Sequence, residues 1–359
     1  MSTARDQRPT WAEIDRGAFS RNVETLAKRL PSQTQLIAVL KGDAYGHGAV
    51  ELAKLCKPER VAMIATALLE ESIELRRAGI ELPLLVLGPL SESQIRMALD
   101  ERITVGVVGP EELEFVCRIA RERDVAIHLK LDTGMGRMGV TEAELPRVME
   151  MIRSVPRLRI DAVYTHFANA DDASDPLTNQ QVEKFRAMSA QIPAKRKHLA
   201  NSAATMRGLT APGDYVRVGV ALFGAEVVGE RLEPVLRWRT EVARLKELPA
   251  GHGIGYGTTF HTRRPSRIAT LPVGYADGYD RKLSNNAEVL VRGRRAPVVG
   301  RVSMDLLTID VTDVPEARFG DEVVLLGNDI SVEELATRAG TISYEVFCRI
   351  SKRVPRIYK

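Results

Sequence analysis

Lys41 closes the apolar run Leu36-Ile37-Ala38-Val39-Leu40 and opens a glycine-rich turn, Gly42-Asp43-Ala44-Tyr45-Gly46-His47-Gly48. A lysine at the end of a buried strand is partly desolvated, which favours its neutral amine and makes it a nucleophile toward carbonyls. The glycines permit tight turns and close backbone approach to a ligand. Their spacing is neither that of a Walker loop nor that of a dinucleotide fingerprint. Polar residues close other apolar runs in the same way: Asp132 to Arg137, His166, Asn201-Ser202, and Arg217 with Gly219 and Val220. Ser202, Gly219 and Val220 combine a hydroxyl with backbone N–H donors, a set that suits a phosphate. Ser202 also suits a plain helix N-cap, since the chain from Ala203 onward reads as helical. His47, His166 and Asp171-Asp172 lack metal-ligand spacing, so no metal site is expected. The absence of a Gly-x-Ser-x-Gly elbow argues against a serine hydrolase.

These residues need a frame that brings several strand ends to one rim. Residues 35–41, 61–66, 83–88, 103–108, 126–132, 160–167, 196–201 and 215–219 read as strands. Helix-like stretches at 67–78, 110–123 and 178–190 lie between them. The second begins with Pro110 and carries Glu111 and Glu112 in its first turn, as a helix N-terminus favours. Eight strands alternating with helices predict an α/β fold, a closed parallel (β/α)8 barrel over residues 10–234, in preference to an open doubly wound sheet. Chemistry in such barrels sits at the C-terminal ends of the strands, where the polar residues above fall. After about Pro234 the texture changes to short strands at 242–248, 268–273, 288–291, 297–302, 306–311 and 322–326, with one helical stretch at 332–338. That pattern predicts a mainly antiparallel β domain over residues 235–359, against which the first few residues of the chain pack.

The chain has 359 residues, 44% hydrophobic and 27% charged, which excludes a disordered or low-complexity polymer. Its 51 basic and 47 acidic residues form no basic stripe, so no nucleic-acid partner is expected. No stretch approaches ~20 apolar residues, and the polar start has no apolar leader. The expectation is a cytoplasmic protein without a membrane segment. Cys56, Cys117 and Cys348 are odd in number and far apart, and read as buried thiols in a reducing compartment.

A lysine after the first strand, a phosphate corner after the seventh and eighth, and a separate β domain together suggest pyridoxal 5'-phosphate as cofactor. In the residues around these points the chain resembles the alanine racemase family. In the first half the likeness is carried by Ala38-Val39-Leu40-Lys41-Gly42-Asp43-Ala44-Tyr45-Gly46-His47-Gly48, by His128-Leu129-Lys130-Leu131-Asp132-Thr133-Gly134-Met135-Gly136-Arg137-Met138-Gly139, and by Thr165-His166-Phe167-Ala168. In the second half it is carried by Val216-Arg217-Val218-Gly219, Gly253-Ile254-Gly255-Tyr256-Gly257 and Gly274-Tyr275-Ala276-Asp277-Gly278-Tyr279. Arg301-Val302-Ser303-Met304-Asp305 and Arg353-Val354-Pro355-Arg356 complete the set in family order.

The resemblance implies a homodimer with shared active sites that interconverts L- and D-alanine and supplies D-alanine for peptidoglycan. It implies that Lys41 holds the cofactor as a Schiff base and then serves as base on one face of the substrate Cα. Tyr256, from the partner subunit, is implied as the base on the other face, a post at which a phenol needs cationic neighbours to work near neutral pH. Arg217 is implied at the pyridine nitrogen with His166 behind it, and Tyr45, Asn201, Ser202, Gly219 and Val220 around the phosphate. Arg137 contacts the cofactor's phenolic oxygen and the substrate, oriented by Lys130, which is carbamylated in many members. Met304 and Asp305 come from the second subunit, the Met304 amide helping to hold the substrate carboxylate. Tyr275 and Arg281 fall where members line the substrate corridor. Because arginine keeps its proton, Arg217 leaves the pyridine nitrogen unprotonated and limits carbanion lifetime.

Departures from the family pattern are Gly42, Val218, Phe223 and Lys352, the last standing where several members have a tyrosine hydroxyl near the phosphate. A broad-specificity or serine-preferring racemase is the alternative within enzymes, since pocket volume is not written in the sequence. A non-catalytic cofactor-binding protein of the single-barrel type would lack the β domain. A barrel-class decarboxylase is expected to present glutamate to the pyridine nitrogen, where this chain has Arg217.

Overall fold

The computed structural model of the chain describes residues 8–209 and 213–359. Strand β1 (Thr10–Ile14) and the helix Arg16–Arg29 come first. Eight strands follow: β2 (Gln35–Val39), β3 (Val61–Thr66), β4 (Leu84–Val86), β5 (Ile103–Val107), β6 (Val125–Lys130), β7 (Leu158–Tyr164), β8 (Arg196–His198) and β9 (Tyr215–Val218). They close into a barrel in sequence order, every pair parallel, with β9 hydrogen-bonded back to β2. The expected closed (β/α)8 barrel is therefore the fold. Apart from β8, where only His198 is buried, its strands are buried almost throughout, because one face fills the interior and the other lies under helices; this is why they read as near-continuous aliphatic runs. Ile37, Val39, Met63, Ala65, Leu85 and Tyr215 pack as one cluster.

The remaining strands are β10 (Leu236–Glu241), β11 (Arg244–Leu248), β12 (Gly253–Ile254), β13 (Phe260–His261), β14 (Ser266–Leu271), β15 (Glu288–Val291), β16 (Arg294–Pro297), β17 (Leu307–Asp310), β18 (Glu322–Leu326) and β19 (Arg356–Tyr358). Six of the strands form a sheet in the order β16-β15-β18-β10-β1-β19, antiparallel except for the β1–β19 pair. A three-stranded sheet, β11-β14-β17, and the small β12-β13 pair accompany it. The sequence reading passed over β10, whose buried Leu236, Trp238 and Thr240 alternate with Arg237, Arg239 and Glu241 and so carry no aliphatic run. The strand expected at 297–302 is displaced to β16. A second helix, Ser343–Arg349, was not expected, because seven residues are too few to show a helical period. It carries Cys348, which is exposed, whereas Cys56 and Cys117 are buried as expected.

The chain divides into two compact units. One comprises Ser20–Ala44 and Ala49–Leu232 and contains the barrel; the other comprises the described residues up to Phe19, Tyr45–Gly48 and Glu233–Lys359. The later boundary falls between Leu232 and Glu233, and the short segment Tyr45–Gly48 clusters with the second of these units. The expectation for the first few residues falls partly on residues 1–7, which lie outside the described residues. From Thr10 onward, β1 pairs with β10 and β19 within the β unit. Among the described residues no helix is long and apolar enough to cross a membrane.

Candidate active site

Lys41 begins the segment Lys41–Gly46, and from Gly42 to Gly46 the backbone is a turn of left-handed helix. Gly42, Asp43, Ala44, Tyr45 and Gly46 have φ of 63°, 54°, 53°, 53° and 78°, and the Ala44 N–H donates to the Leu40 carbonyl at 2.8 Å. For the three non-glycine residues this conformation costs about 1–2 kcal/mol each, so it persists only where neighbours over-determine it. The Asp43 carboxylate accepts the Ala49 N–H at 2.7 Å, and Glu71 Oε1 accepts the Gly42 N–H at 2.5 Å. His47 Nδ1 donates to the Tyr45 carbonyl at 2.9 Å. Lys41 itself is exposed in the single chain. The desolvation expected for it is therefore not supplied within the single chain.

Arg217, on β9, is buried. Its guanidinium donates to His198 Nδ1 and to the His198 carbonyl, both at 2.8 Å. It also donates to the carbonyls of Thr165 at 2.6 Å and Leu199 at 3.1 Å, and to His166 Nδ1 at 3.3 Å. A guanidinium has no acceptor, so His198 Nδ1 must be bare and its Nε2 must carry the hydrogen. That hydrogen points to His128 Nδ1, 3.1 Å away, which assigns His128 the same tautomer. Burial pushes His198 well below the ordinary histidine value, His128 to about 4 and His166 to about 3, with Arg217 adding to each shift. All three are neutral at pH 7. Burial also lowers Arg217, to about 10, which still leaves it a cation. Tyr164 stacks on His198 with ring centres 4.7 Å apart, and the guanidinium stands 5.5 Å from the Tyr164 ring centre.

Lys130 ends β6 and is buried; desolvation lowers its ammonium to about 8, and Arg137, Arg217 and Lys41 push the same way against Asp132. The same cations depress His166. Lys41, Arg137 and Arg217 therefore each lie within Coulombic reach of Lys130 and of His166. Asp132 Oδ1 accepts the Gly134 and Gly136 N–H groups at 3.0 and 3.1 Å, shaping the loop that leads to Arg137. Gln181 ties this loop to the next. Its amide donates to Thr133 Oγ1 at 3.2 Å and to the His166 carbonyl at 3.0 Å, and its oxygen accepts the Ala168 N–H at 2.9 Å.

After β8, Asn201 caps the short helix Ser202–Met206, its side chain accepting the Ala204 N–H at 3.0 Å. The capping role open to Ser202 thus belongs to Asn201. Ser202 Oγ accepts the Gly219 N–H at 3.0 Å instead, joining the loops after β8 and β9. Asn22 donates to the Leu222 carbonyl at 3.0 Å and fixes the 3-10 turn Val220–Phe223.

In the β unit, Tyr256, Tyr275, Arg281, Met304 and Asp305 gather around segment 300–306. Tyr256 sits between Gly255 and Gly257, whose φ values are 70° and 68°. Asn285 accepts the Gly300 N–H at 2.6 Å and donates to Thr259 Oγ1 at 3.1 Å, linking the Tyr256 turn to the segment. The Tyr275 and Ala276 N–H groups donate to the Ser303 and Met304 carbonyls, both at 3.0 Å. The approach requires Gly274, where a Cβ would lie 2.3 Å from the Ser303 carbonyl oxygen. Ser284 accepts the Val302 N–H at 3.0 Å and brings the Arg281 turn alongside. Asp305 pairs with Arg353 at 2.6 Å, and Arg353 lies 3.5 Å from buried Asp277, which also accepts from Arg8. Tyr256, at 72%, and Tyr275, Met304 and Leu306 are exposed. A cavity of about 420 Å³ is lined by Tyr275, Gly278, Asp280, Arg281 and Arg349. Tyr45 is buried with the Tyr344 ring 5.9 Å away, while Lys352 is exposed.

Sequence reasoning missed His198, His128, Gln181, Glu71 and Tyr344. A histidine on an inward-facing barrel position was the available signal for the first two. The others act through tertiary reach and leave no local pattern. Among the described residues, no group of three or more His, Cys, Asp or Glu could hold a metal ion.

Fold and rim define an α/β-barrel enzyme equipped for an anionic small molecule. Sequence profiles of the alanine racemase N-terminal and C-terminal domains match residues 14–227 and 235–358. The alanine racemase of Halothermothrix orenii is 43% identical over 98% of this chain and 97% of its own. The solved alanine racemase of Bacillus anthracis, with bound L-Ala-P, superposes with a TM-score of 0.91 at 37% identity, covering 98% of this chain and 95% of that one. That of Bartonella henselae, with covalently bound pyridoxal phosphate, superposes at 0.93 and 30% identity over 98% and 99%. The chain belongs to the alanine racemase family, whose members are isomerases.

Proposed function

We propose that this chain interconverts L- and D-alanine with pyridoxal 5'-phosphate, as a homodimer that moves the Cα proton between two bases. The observation that carries the reading is the cationic rim centred on Arg217: Arg217, Arg137 and Lys41 push both Lys130 and His166 downward, opposed at Lys130 by Asp132. Such a donor set fits a ligand bearing a phosphate and a phenolate. Bound pyridoxal 5'-phosphate supplies electron withdrawal from the substrate Cα.

The chain's own groups do the rest. Lys41 Nζ would hold the cofactor covalently and, as a free amine, would remove or return the Cα proton on one face. The partner subunit's Tyr256 does so through Oη on the opposite face. Arg217 would donate to the pyridine nitrogen and keeps its own proton, since its acceptors in the barrel are neutral carbonyls and imidazoles. Asn201, Ser202, Gly219 and Val220 would hold the phosphate, a role the family pattern gives to Tyr45 as well, with His166 behind Arg217. Lys130, lowered to about 8, would orient Arg137, as an anion where its neutral amine has taken up carbon dioxide with release of a proton. Arg137 and the partner subunit's Met304 amide hold the substrate carboxylate, with the partner subunit's Asp305 in support. Tyr275 and Arg281 line the approach, in keeping with the cavity beside them. The exposed apolar set of Tyr256, Tyr275, Met304 and Leu306 supports burial against a second copy.

The test is racemisation of a panel of L- and D-amino acids in deuterated water, with Lys41→Ala and Tyr256→Phe beside the wild type. Lys41→Ala should lose racemisation and covalent cofactor together. Tyr256→Phe should keep the cofactor and lose proton exchange on one face. Undiminished turnover in either variant overturns the two-base reading, and exclusive turnover of serine or lysine overturns the alanine assignment. Growth of a D-alanine auxotroph carrying this chain tests a cytoplasmic supply of D-alanine for peptidoglycan.

A further inference from the structure

We infer that Glu71 is the positioning residue for Lys41: its carboxylate locks the left-handed turn at the end next to the lysine. Glu71 lies in the first turn of the helix Leu69–Arg77, after β3. Its Oε1 accepts the Gly42 N–H at 2.5 Å, and its Oε2 accepts the N–H groups of Ala67 at 2.9 Å and Leu68 at 3.1 Å. One carboxylate therefore joins the residue after Lys41 to the loop that leaves the neighbouring strand. On the other side of Lys41, the Leu40 N–H donates to the Ala65 carbonyl at 2.9 Å. The lysine backbone is thus pinned to the β3 side immediately before and immediately after its own Cα.

The need for an outside acceptor follows from helix geometry. The turn's own bonding begins with Ala44 N–H to the Leu40 carbonyl, so the Gly42 amide precedes the first internal partner. Gly42 is also the residue with the freest backbone in the turn. Asp43 and His47 hold the far end through Ala49 and the Tyr45 carbonyl. Glu71 holds the near end. Released there, Gly42 can leave the left-handed region, and the direction of the Lys41 side chain changes with it. The chemistry calls for a carboxylate: three N–H donors converge on two oxygens, and an amide would aim its own donors at one of them.

The inference rests on Lys41 being the cofactor-bearing base. Its test uses holoenzyme prepared with pyridoxal 5'-phosphate from the wild type, Glu71→Gln, Glu71→Asp, Lys41→Ala and Glu70→Gln. Glu70 is an exposed neighbour on the same helix turn and serves as the charge-matched control. Three quantities are read: the rate at which Lys41 becomes trapped by borohydride as a reduced cofactor adduct, kcat and KM per loaded site, and the thermal midpoint. Glu71→Gln should slow loading and lower kcat per loaded site by about tenfold or more, because small misplacements of a reacting group cost that much. KM for alanine should stay within about threefold, the mark of a defect in the chemical step. Glu71→Asp keeps a carboxylate for Ala67 and Leu68 but is too short to keep the Gly42 bond, so it should fold and show the same loss even where Glu71→Gln does not accumulate. Glu70→Gln should match the wild type. Wild-type loading and kcat per loaded site in Glu71→Asp, whatever its thermal midpoint, overturn the inference. If Lys41→Ala still racemises, the assignment of Lys41 fails instead; if Lys41→Ala is inactive and both Glu71 variants behave as wild type, only the role of Glu71 fails.

Discussion

The barrel rim and the segment 300–306 cluster of the β unit present their functional residues in opposite ways. On the rim the side chains themselves are fixed: Arg217, His198, His128, His166 and Gln181 are tied to each other and to backbone carbonyls. In the β unit the backbone is fixed, by Asn285, Ser284 and the Gly274–Ser303 approach, while Tyr256, Tyr275 and Met304 project into solvent. The difference teaches where stability and function are coupled. A buried polar network contributes to folding and to the site through the same bonds. An exposed side chain on a pinned backbone contributes to the site alone.

Arg217→Leu is the strongest way to break that comparison. It leaves His198 Nδ1, His166 Nδ1 and the Thr165 and Leu199 carbonyls without the Arg217 donor, while the His198 carbonyl keeps the Thr165 N–H at 3.3 Å; the cost is about 1–3 kcal/mol for each group that finds no substitute. Relief from burying a cation offsets part of this, so a net loss of about 3–5 kcal/mol is expected, read from urea midpoints at pH 7.5. Tyr256→Phe should stay within about 0.5 kcal/mol of the wild type, as surface substitutions do. Equal midpoints for the two variants would show that the rim network is not a folding element.

Acid should act on the rim next in size. His128 and His166 are held at about 4 and about 3, and His198 lower than the ordinary value, so the unfolded chain binds more protons than the folded one below the usual histidine range. Their contribution is present in full above about pH 6.5 and is lost as pH falls toward 4 and below. Glu112 works against this trend. Burial raises it to about 7 despite the N–H groups of Val108 and Leu90, so its contribution shrinks as pH rises from about 4.5 to 7. Three histidines outweigh one carboxyl, and the expected result is a net loss on the order of a few kcal/mol between pH 6.5 and 4.5. A flat urea midpoint over that range would contradict the buried neutral imidazoles.

The barrel was legible because parallel strands covered on both faces write aliphatic runs between helical stretches, and its rim was legible because strand ends are where polarity interrupts those runs. The left-handed turn was not: Asp43, Ala44 and Tyr45 are ordinary residues there, and their positive φ follows from bonds to Ala49 and to the backbone on either side. Glu71 and Gln181 look like surface helix residues in the sequence and become site residues only when the helices dock. Strand β10 hid behind its arginines, and Cys348 was read as buried because a short helix gave no period to place it. The residues of the β unit were legible through family motifs alone, since nothing local distinguishes an exposed Tyr256 between two glycines from a plain turn.

The smallest expected effects sharpen the comparison most, because they change hydrogen bonds without touching a charged or reacting group. Gln181→Leu keeps the volume of the side chain but removes the bonds to Thr133, His166 and Ala168 inside the barrel. Thr133 retains Thr165 as a partner at 2.7 Å, so the cost falls on the Ala168 N–H and the His166 carbonyl, about 1–3 kcal/mol. Asn285→Ala removes the bonds to Gly300 and Thr259 at an exposed position where water replaces them, and puts alanine at a φ of 55° that asparagine adopts more readily, so stability should move by about 1–2 kcal/mol. Racemisation should rank the other way. Loosening the backbone that carries both Tyr256 and Met304 disturbs the two groups proposed to act on a second copy, whereas the rim loops keep Asp132 and Arg217 to hold them. A larger loss of kcat/KM in Asn285→Ala than in Gln181→Leu, with a smaller change in urea midpoint, is the pattern that separates a pinned backbone from a pinned side chain; the reverse ranking would place the two regions under one rule.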